Sequence, residues 1–231
     1  MSRASLSIMP RARFAFLLIA PLSVVACAPS GPAFPPGVPV VAQIGPPGII
    51  AGYRLPFNGR WLIQRTHYGN PHDQAYAIDV VFPTPDGKIA SGSGKQNTDF
   101  PSYGQPIVAD AQGVVVIAVD GIPDNAPGVV NSYDQHGNYV VIDHQNGEFS
   151  LMAHLIPSTI RVHPGQIVGV GTELGRCGNS GHTTNPHVHW QVMTSAYATQ
   201  AQAIQQRYLP YDRNGQLTTT IPDKGDFITP R

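Results

Sequence analysis

The run Pro186-His187-Val188-His189-Trp190-Gln191-Val192 indicates both a fold class and a site. Valine and aromatic residues favour a strand, and residues two apart on a strand point to the same face. Both imidazoles, of His187 and His189, would then face one site. A single metal ion can be reached by one or both of them. The simpler alternative is a pair of surface histidines on an alternating strand.

Short apolar runs of the same kind recur along the chain, separated by turn residues. Val, Ile and Tyr dominate them, so they predict strands, mostly antiparallel. Only 12% of residues are charged, while Gly and Pro number 24 and 23, which disfavours a helical bundle. We therefore predict a mainly β fold, a curved antiparallel sheet with few short helices. The predicted strands are 61–65, 75–82, 106–109, 113–120, 139–143, 149–155, 167–170 and 187–193, and the one predicted helix is 195–207.

The chain divides into three parts by composition. Three arginines precede an apolar run at 14–26 that ends Val24-Val25-Ala26-Cys27, which predicts a signal peptide over 1–27 with a lipobox. Cys27 would carry a lipid anchor to the outer membrane. The alternative is a soluble exported product cut after Ala28. Residues 28–52 are rich in Pro and Gly and predict a tether, and 53–231 predict the folded domain.

Charge and loop composition add two further expectations. Basic and acidic residues balance at 14 each, and three arginines lie in the segment expected to be removed, so nucleic acid is a poor candidate partner. We expect an exported protein of the periplasm or cell envelope. Two stretches, near 83–104 and 121–137, are predicted to be inserted loops. Nothing in the sequence indicates an oligomeric state.

Two further runs contain chemically active side chains inside apolar sequence. Asp79 follows Asn70-Pro71-His72 and lies in a predicted strand, where a buried carboxylate must be paired, hydrogen-bonded or bound to metal. His72 could share that metal, although Asp79 as a turn cap and His72 as a plain loop residue stay open. His154 is a single histidine in the apolar run 149–155, and such a residue is often simply a satisfied core residue.

The combination of these residues points to hydrolytic chemistry. Two histidines and one carboxylate can hold zinc with one position open, and zinc lowers the pKa of a water molecule there to about 7. Two more imidazoles nearby could move protons and stabilise an oxyanion. Only two glutamates are present, and neither has the spacing of a helix-borne HExxH protease.

Four separated motifs resemble those of the lysostaphin-type zinc endopeptidases of bacterial cell walls, over roughly residues 53–193. They are Asn70-Pro71-His72 with Ala77-Ile78-Asp79, Gly137-Asn138-Tyr139-Val140-Val141-Ile142-Asp143-His144, Met152-Ala153-His154-Leu155, and Gly178-Asn179-Ser180-Gly181 with His187-Val188-His189. The resemblance implies a groove over Zn²⁺ on a curved sheet and peptide stems of peptidoglycan as substrate. It also implies His72, Asp79 and His189 as zinc ligands, with His154 and His187 as catalytic residues.

The chain departs from the family pattern at the first ligand. The commoner pattern has three residues between the first His and the Asp, whereas six separate His72 from Asp79, which leaves His67 as a rival. We predict His72 because it keeps the Asn-x-His arrangement. Cys177 precedes the Gly-Asn-Ser-Gly turn where a small apolar residue is expected, and we predict a buried, inert thiol.

Two other readings of the site stay open, and one is rejected. A catalytically silent wall-binding or amidase-activating domain of the same fold is the main alternative to an enzyme. The same ligand types also suit non-haem iron. A serine hydrolase fails because the order and spacing of His154, Glu173 and Ser180 do not suit a triad.

The remaining polar and aromatic residues are assigned more simply. His144, His163 and His182 are predicted to be structural or exposed, and His136 to lie in a loop. Trp61 and Trp190 are assigned to the core. Asn138, Tyr68, Tyr76 and Tyr103 are candidates for orienting substrate, with no basis for choosing among them. The tail after Thr194 is expected to pack over the sheet or to extend away from it.

Overall fold

The computed structural model describes residues 51–69 and 73–231, so the predicted signal peptide and nearly all of the predicted tether lie outside the described residues. The described part is mainly β, as predicted, with two single-turn 3₁₀ helices at Asn97–Asp99 and Ala198–Gln200. The strands are β1 Trp61–Thr66, β2 Ile78–Val81, β3 Pro106–Val108, β4 Gly113–Val119, β5 Asn138–Asp143, β6 Phe149–Leu155, β7 Ile167–Val168, β8 Glu173–Arg176, β9 Val188–Met193, β10 Ala203–Ile204, β11 Tyr211–Arg213, β12 Gln216–Thr218 and β13 Phe227–Pro230.

One large antiparallel sheet dominates the fold. Its strand order is β12-β11-β13-β1-β2-β9-β6-β5-β4-β7, and β10 pairs with β9 beside this path. β3 and β8 form a separate two-stranded sheet. Register shifts interrupt the β1–β2, β4–β5 and β5–β6 pairs, and such bulges bend strands and increase their twist. An open, curved antiparallel sheet agrees with the prediction.

Alternation along the central strands gives the sheet two different faces. On β9, Val188, Trp190 and Val192 belong to the main core, whereas Met193 belongs to a smaller cluster on the opposite face. The intervening His189 and Gln191 therefore share the face of the smaller cluster. The predicted core positions of Trp61 and Trp190 are confirmed, because both are fully buried.

A buried polar network supports β9 from the core side. The Trp190 Nε1–H and the Ser150 hydroxyl both donate to the Asp110 carboxylate, each at 2.9 Å. His144 Nε2 lies 2.9 Å from Ser150 Oγ, and its Nδ1 donates to the Gln112 carbonyl at 2.8 Å. His144 is thus a structural residue, in agreement with the prediction.

The region after β9 differs from the sequence prediction. The helix predicted over 195–207 is wrong, since this stretch holds only the 3₁₀ turn at Ala198–Gln200 and strand β10. β10 pairs with β9, with Ala203 opposite Met193, and sheet pairing replaces the helix. The tail neither covers the sheet nor extends away from it, because β11, β12 and β13 continue the sheet beyond β1.

Both predicted loop stretches connect strands of the described domain. Residues 83–104 contain the 3₁₀ turn at Asn97–Asp99, and residues 121–137 contain an isolated bridge between Asp124 and Ser180. No strand occurs in either stretch. Across 51–69 and 73–231, no helix is long and apolar enough to cross a membrane.

Candidate metal centre and catalytic groove

Strand pairing brings the first two members of the site together. Asp79 on β2 pairs with His189 on β9 in the antiparallel register, so their side chains project from the same face. The Asp79 Oδ1 atom lies 2.9 Å from His189 Nδ1. Both side chains are buried. The predicted association of Asp79 with His189 therefore follows from two strands that are 110 residues apart in sequence.

His67 is the third member of the cluster. It lies directly after β1, and its backbone N–H donates to the Ala77 carbonyl at 3.0 Å, which holds it beside the start of β2. Its Nε2 atom lies 2.9 Å from Asp79 Oδ2. The ligand atoms of His67, Asp79 and His189 all lie within 4.8 Å of one another. His72, the first ligand predicted from the sequence, lies outside the described residues.

His154 reaches the site through an irregularity in β6. Strict alternation after Met152 and Ala153 would turn His154 toward the main core. Instead, His154 has a left-handed backbone (φ 65°), and the β5–β6 register shifts nearby. Its ring centroid lies 4.7 Å from that of His187 and 6.0 Å from that of His189. The bulge thus turns a core-facing position toward the site, a common use of bulges next to active sites.

The tautomers of His154 and His187 follow from their hydrogen bonds. His154 Nδ1 lies 2.8 Å from the Ser180 carbonyl, and His187 Nδ1 lies 2.9 Å from the Asn185 carbonyl. A carbonyl oxygen only accepts, so both Nδ1 atoms carry hydrogen and, in the neutral rings, both Nε2 atoms have a lone pair. His187 Nε2 lies 3.7 Å from Asp79 Oδ1. The predicted pair therefore borders the cluster.

Burial and charge set the protonation states of the site. Burial alone raises the pKa of Asp79, but His187, His189 and His67 outweigh it and hold that pKa well below its usual value. Burial lowers the pKa of His154 well below its usual value, with a further contribution from the neighbouring His187 and His189. Burial also lowers the pKa of His187, against the opposing attraction of Asp79. Asp79 is therefore an anion beside two neutral imidazoles.

A groove of about 510 Å³ opens over these side chains. His67, Asp79, His154, His187 and His189 all contribute to its lining. Its rim comes from five stretches of the chain. The rim residues are Gln64, Arg65, Gln74, Val130, Gln135, His136, His182, Thr183, Thr184, Asn185 and Lys224. A groove of this size can hold an extended peptide segment above the cluster.

His136 is a groove residue that the sequence reasoning did not assign to the site. It lies in a loop, as predicted, but its ring centroid is 6.3 Å from that of His189. Its Nε2 atom is buried without a hydrogen-bond partner. Burial, assisted by His189, lowers the pKa of His136 to about 4. The pattern Gln135-His136-Gly137 carries no motif, so only the folded loop reveals this position.

Three of the four candidates for orienting substrate make hydrogen bonds elsewhere, and the fourth, Tyr76, does not line the groove. Asn138 is fully buried, and its Nδ2 donates to the carbonyls of Ile122 and Leu155 at 2.8 and 2.9 Å. The Tyr68 hydroxyl donates to the Pro222 carbonyl and the Tyr103 hydroxyl to Asp124, each at 2.8 Å. Among these three residues none lines the groove.

Two other predictions from the sequence are borne out. Cys177 is a fully buried free thiol, and burial raises its pKa well above the usual value, so it is inert as predicted. His163 and His182 are both exposed, as predicted, and His182 also lies on the rim of the groove.

The donor set of this site fits a metal ion. Two imidazoles and one carboxylate converge, buried, at the floor of an open groove, which is the arrangement of zinc sites that keep one position free. The same donors also suit iron(II). Fold and site together define a mainly β protein with a candidate mononuclear metal centre.

Comparison with known proteins finds a family model that matches part of this chain. Residues 94–204 match the model of Peptidase family M23. The matched range includes His154, His187 and His189 but not His67 or Asp79. The chain is 35% identical to the peptidoglycan DD-endopeptidase ShyA of Vibrio cholerae over 97 residues, which is 42% of this chain and 19% of ShyA. The chain thus spans about a fifth of the length of that relative.

Solved structures give similar neighbours. A zinc containing peptidase from Vibrio cholerae is 24% identical with a TM-score of 0.36, covering 71% of this chain and 39% of that one. Lysostaphin from Staphylococcus simulans is 19% identical with a TM-score of 0.41, covering 64% of this chain and 51% of that one.

Proposed function

We propose that this protein is a zinc-dependent endopeptidase that hydrolyses peptide cross-links in the stems of peptidoglycan. The observation that carries the proposal is the convergence of His67, Asp79 and His189 under an open groove, with His154 and His187 beside them. Its match to the model of Peptidase family M23 and its similarity to an enzyme named as a peptidoglycan DD-endopeptidase support the substrate class.

We propose His67, Asp79 and His189 as the zinc ligands. This replaces His72 of the sequence prediction with its rival. The 2.9 Å contact between His67 Nε2 and Asp79 Oδ2 supports the choice. The donor atoms of all three residues also lie within 4.8 Å of one another. When bound, zinc supplies a Lewis acid that polarises a carbonyl and makes a water molecule ionise near neutral pH.

His154 and His187 are proposed to handle the proton and the developing oxyanion. Each ring directs its N–H at a backbone carbonyl, so each Nε2 is the atom available for proton transfer. Burial keeps both rings neutral near pH 7, the form that a general base requires. After accepting a proton, either ring becomes a hydrogen-bond donor to an oxyanion or a leaving amine.

The alternative of a catalytically silent domain is less consistent with these residues. A domain that only binds the wall has no need for a buried carboxylate, two candidate ligands and two oriented imidazoles in one groove. Iron remains a chemically reasonable ion for two histidines and a carboxylate. Elemental analysis of protein purified without added metal separates zinc from iron.

We also propose that the chain acts outside the cytoplasm, at the cell wall. Three features predicted from the sequence support this location: a signal peptide over 1–27, a lipid anchor at Cys27 and a tether over 28–52. The name of the relative ShyA, a peptidoglycan DD-endopeptidase, also supports it. Labelling with a radioactive fatty acid, with Cys27→Ser as the control, tests the anchor.

The main experiment incubates the purified protein with peptidoglycan sacculi and identifies released muropeptides by mass spectrometry. We expect cleavage that a chelator abolishes and added zinc restores. His187→Ala should retain zinc and lose turnover, whereas His189→Ala should lose zinc as well. Full activity of both variants, or equal activity with and without chelator, would contradict the proposal.

A further inference from the structure

Three asparagines join the two loop stretches to the turn behind the site. We call Asn97, Asn125 and Asn179 the asparagine cluster. Asn97 Nδ2 donates to the Asn125 carbonyl at 2.8 Å, and Asn179 Nδ2 donates to Asn97 Oδ1 at 3.0 Å. The Asn125 backbone N–H donates to the Asn179 carbonyl at 2.9 Å. Residues 83–104, 121–137 and the 178–181 turn are therefore linked at one point.

The asparagine cluster continues directly to a catalytic histidine. Asn125 Nδ2 donates to the carbonyls of Gly181 and Thr183 at 2.7 and 3.2 Å. The Thr183 hydroxyl lies 3.1 Å from Asn179 Oδ1 and 3.0 Å from His187 Nδ1. Both the main chain and the side chain of Thr183 thus contact the cluster, while its hydroxyl touches the His187 ring.

A second contact secures the same turn from the opposite side. The Asp124 carboxylate accepts from the Asn179 backbone N–H and from the Tyr103 hydroxyl, both at 2.8 Å. Asn179 is fully buried and Thr183 is 4% exposed. Buried hydrogen bonds of this kind hold one conformation, since breaking any of them leaves a polar group unsatisfied.

None of the three asparagines is among the described residues that line the groove. A substrate in the groove therefore does not touch them, and any effect they have on hydrolysis must pass through the 179–187 segment. Because His187 is held by the Asn185 carbonyl and the Thr183 hydroxyl, a shift of Thr183 changes the direction of its Nε2 atom.

We propose that Asn125, in the loop over 121–137, is a positioning residue that orients His187 through Thr183 for proton transfer. The proposal rests on the proposed function. It assigns to this loop a part in catalysis that is separate from any contact with substrate. Small displacements of a positioned catalytic group reduce turnover strongly, by about 100-fold for a shift of about 1 Å.

The first test compares Asn125→Ala with Asn131→Ala in the same loop. The Asn131 side chain donates to Asp134 rather than to the cluster, so that variant is the matched control. For Asn125→Ala we expect kcat on sacculi to fall about 10- to 100-fold, with KM within about twofold and zinc content unchanged. For Asn131→Ala we expect wild-type kcat. An Asn125→Ala variant with wild-type kcat, or with a defect entirely in KM, overturns the proposal.

The second test uses Thr183, in case Asn125→Ala fails to fold. Thr183→Ser keeps the hydroxyl and should retain most of kcat, whereas the similarly shaped Thr183→Val should lower it about as much as Asn125→Ala. The double variant should be no worse than the more damaging single variant, because both act on the same imidazole. Fully multiplicative defects, or equal kcat for Thr183→Ser and Thr183→Val, would overturn the proposal.

A spectroscopic measurement separates this inference from the proposed function. In ¹⁵N NMR spectra the His187 ring should show a single Nδ1–H tautomer in the wild-type protein and in Asn131→Ala. In Thr183→Val the Asn185 carbonyl still keeps the hydrogen on Nδ1, but the ¹⁵N chemical shifts of the ring should change because the contact with the Thr183 hydroxyl is lost. Wild-type protein that cleaves no peptidoglycan refutes the proposed function alone. Active wild-type protein with an unchanged His187 spectrum in Thr183→Val refutes the positioning role alone.

Discussion

His154 combines an unfavourable backbone conformation with a buried position in the site. L-residues adopt the left-handed region at a cost of about 1–2 kcal/mol, and His154 does so at φ 65° inside β6. Such strain persists only where the surrounding structure enforces it, and it concentrates at functional sites. The Ser180 carbonyl, 2.8 Å from His154 Nδ1, and the β5–β6 register shift are the enforcing contacts here.

Replacing His154 by glycine and by alanine separates strain from chemistry. Both variants should lose turnover, since neither has an imidazole. Glycine adopts positive φ without a Cβ clash, so His154→Gly should be more stable than His154→Ala by about 1 kcal/mol. Urea denaturation of the two variants measures the difference. Equal stability would mean that the left-handed conformation costs little at this position.

Two single substitutions test whether His67 or His72 is the first ligand of the proposed zinc site. We expect His67→Ala to lose bound zinc, because His67 Nε2 approaches Asp79 within 2.9 Å. His72→Ala should bind zinc normally and serves as the matched control, five positions away. Metal content after dialysis gives the answer. Loss of zinc from His72→Ala with retention by His67→Ala would restore the ligand set predicted from the sequence.

Residue spacing explains which parts of the site were predictable. Asp79 and His189 each lie in an apolar run that predicts a strand, so a buried carboxylate and a common face for His187 and His189 could be inferred before the strand pairing was known. His67 and His72 lie in the connection between β1 and β2, where no periodicity fixes direction. The role of His154 could not be inferred from alternation either, since its backbone interrupts the pattern.

At the scale of elements, the loop over 121–137 packs closely against the turn at 178–181, and Gly181 permits this contact. Gly181 has φ +83°, and a Cβ there would collide with the backbone of Gly137 and Asp134. The backbone at Asp134 and Gly137 therefore lies so close to Gly181 that no residue with a Cβ atom fits there. His136 belongs to the same loop. This contact places the rim of the groove beside His154 and His187.

A pair of glycines tests the close approach separately from the positive φ. Gly147 has nearly the same backbone angle, φ +84°, but nothing lies within 4 Å of an added Cβ. We expect Gly147→Ala to cost about 1 kcal/mol, from backbone strain alone. Gly181→Ala should cost several kcal/mol, because backbone must also shift. Chemical denaturation compares them, and similar losses would show that the loop contact is unimportant for stability.

The link between Tyr103 and Asp124 should appear in alkaline stability. Burial and the bond to Asp124 raise the pKa of Tyr103 to about 12, above its ordinary value of 10. The folded state then holds this proton more tightly than the unfolded state, so the contribution is present below pH 10 and lost between pH 10 and 12. We expect Tyr103→Phe to be about 1 kcal/mol less stable at pH 8. The difference should disappear toward pH 12, and a pH-independent difference would contradict the assignment.

The prediction of strands succeeded where apolar runs were long. It failed where pairing with a neighbouring strand outweighed the local preference of the sequence. Strand β6 matches its predicted range, because Phe149–Leu155 is almost continuously buried. Residues 195–207 contain Ala and Gln, which favour a helix locally, but Ala203–Ile204 pairs with β9 instead. Strand β12 is a three-residue edge strand in which Gln216 and Leu217 are exposed, so its sequence carries little strand signal.

At the scale of the whole molecule, the C-terminal region is part of the domain. The family match ends at residue 204, yet β11, β12 and β13 extend the same sheet beyond β1. Tyr211 and Ile228 from these strands belong to the main core. Ile228 pairs with Trp61, which links the end of the chain to the strand that leads to His67. The first half of the candidate metal site therefore depends on the last strand.

This dependence predicts that a substitution at a buried residue of the C-terminal strands lowers stability much more than one at an exposed residue. Ile228 is fully buried, so Ile228→Ala should destabilise the protein by about 2–5 kcal/mol through lost burial and a residual cavity. Leu217 is 61% exposed on the edge strand, and Leu217→Ala should change stability by less than about 0.5 kcal/mol. Thermal unfolding followed by circular dichroism measures both. Ile228→Ala could instead unfold in two steps, with β11–β13 unfolding first and zinc still bound. That result would mean that β11–β13 form a separate unit and that β1 holds His67 in place without them.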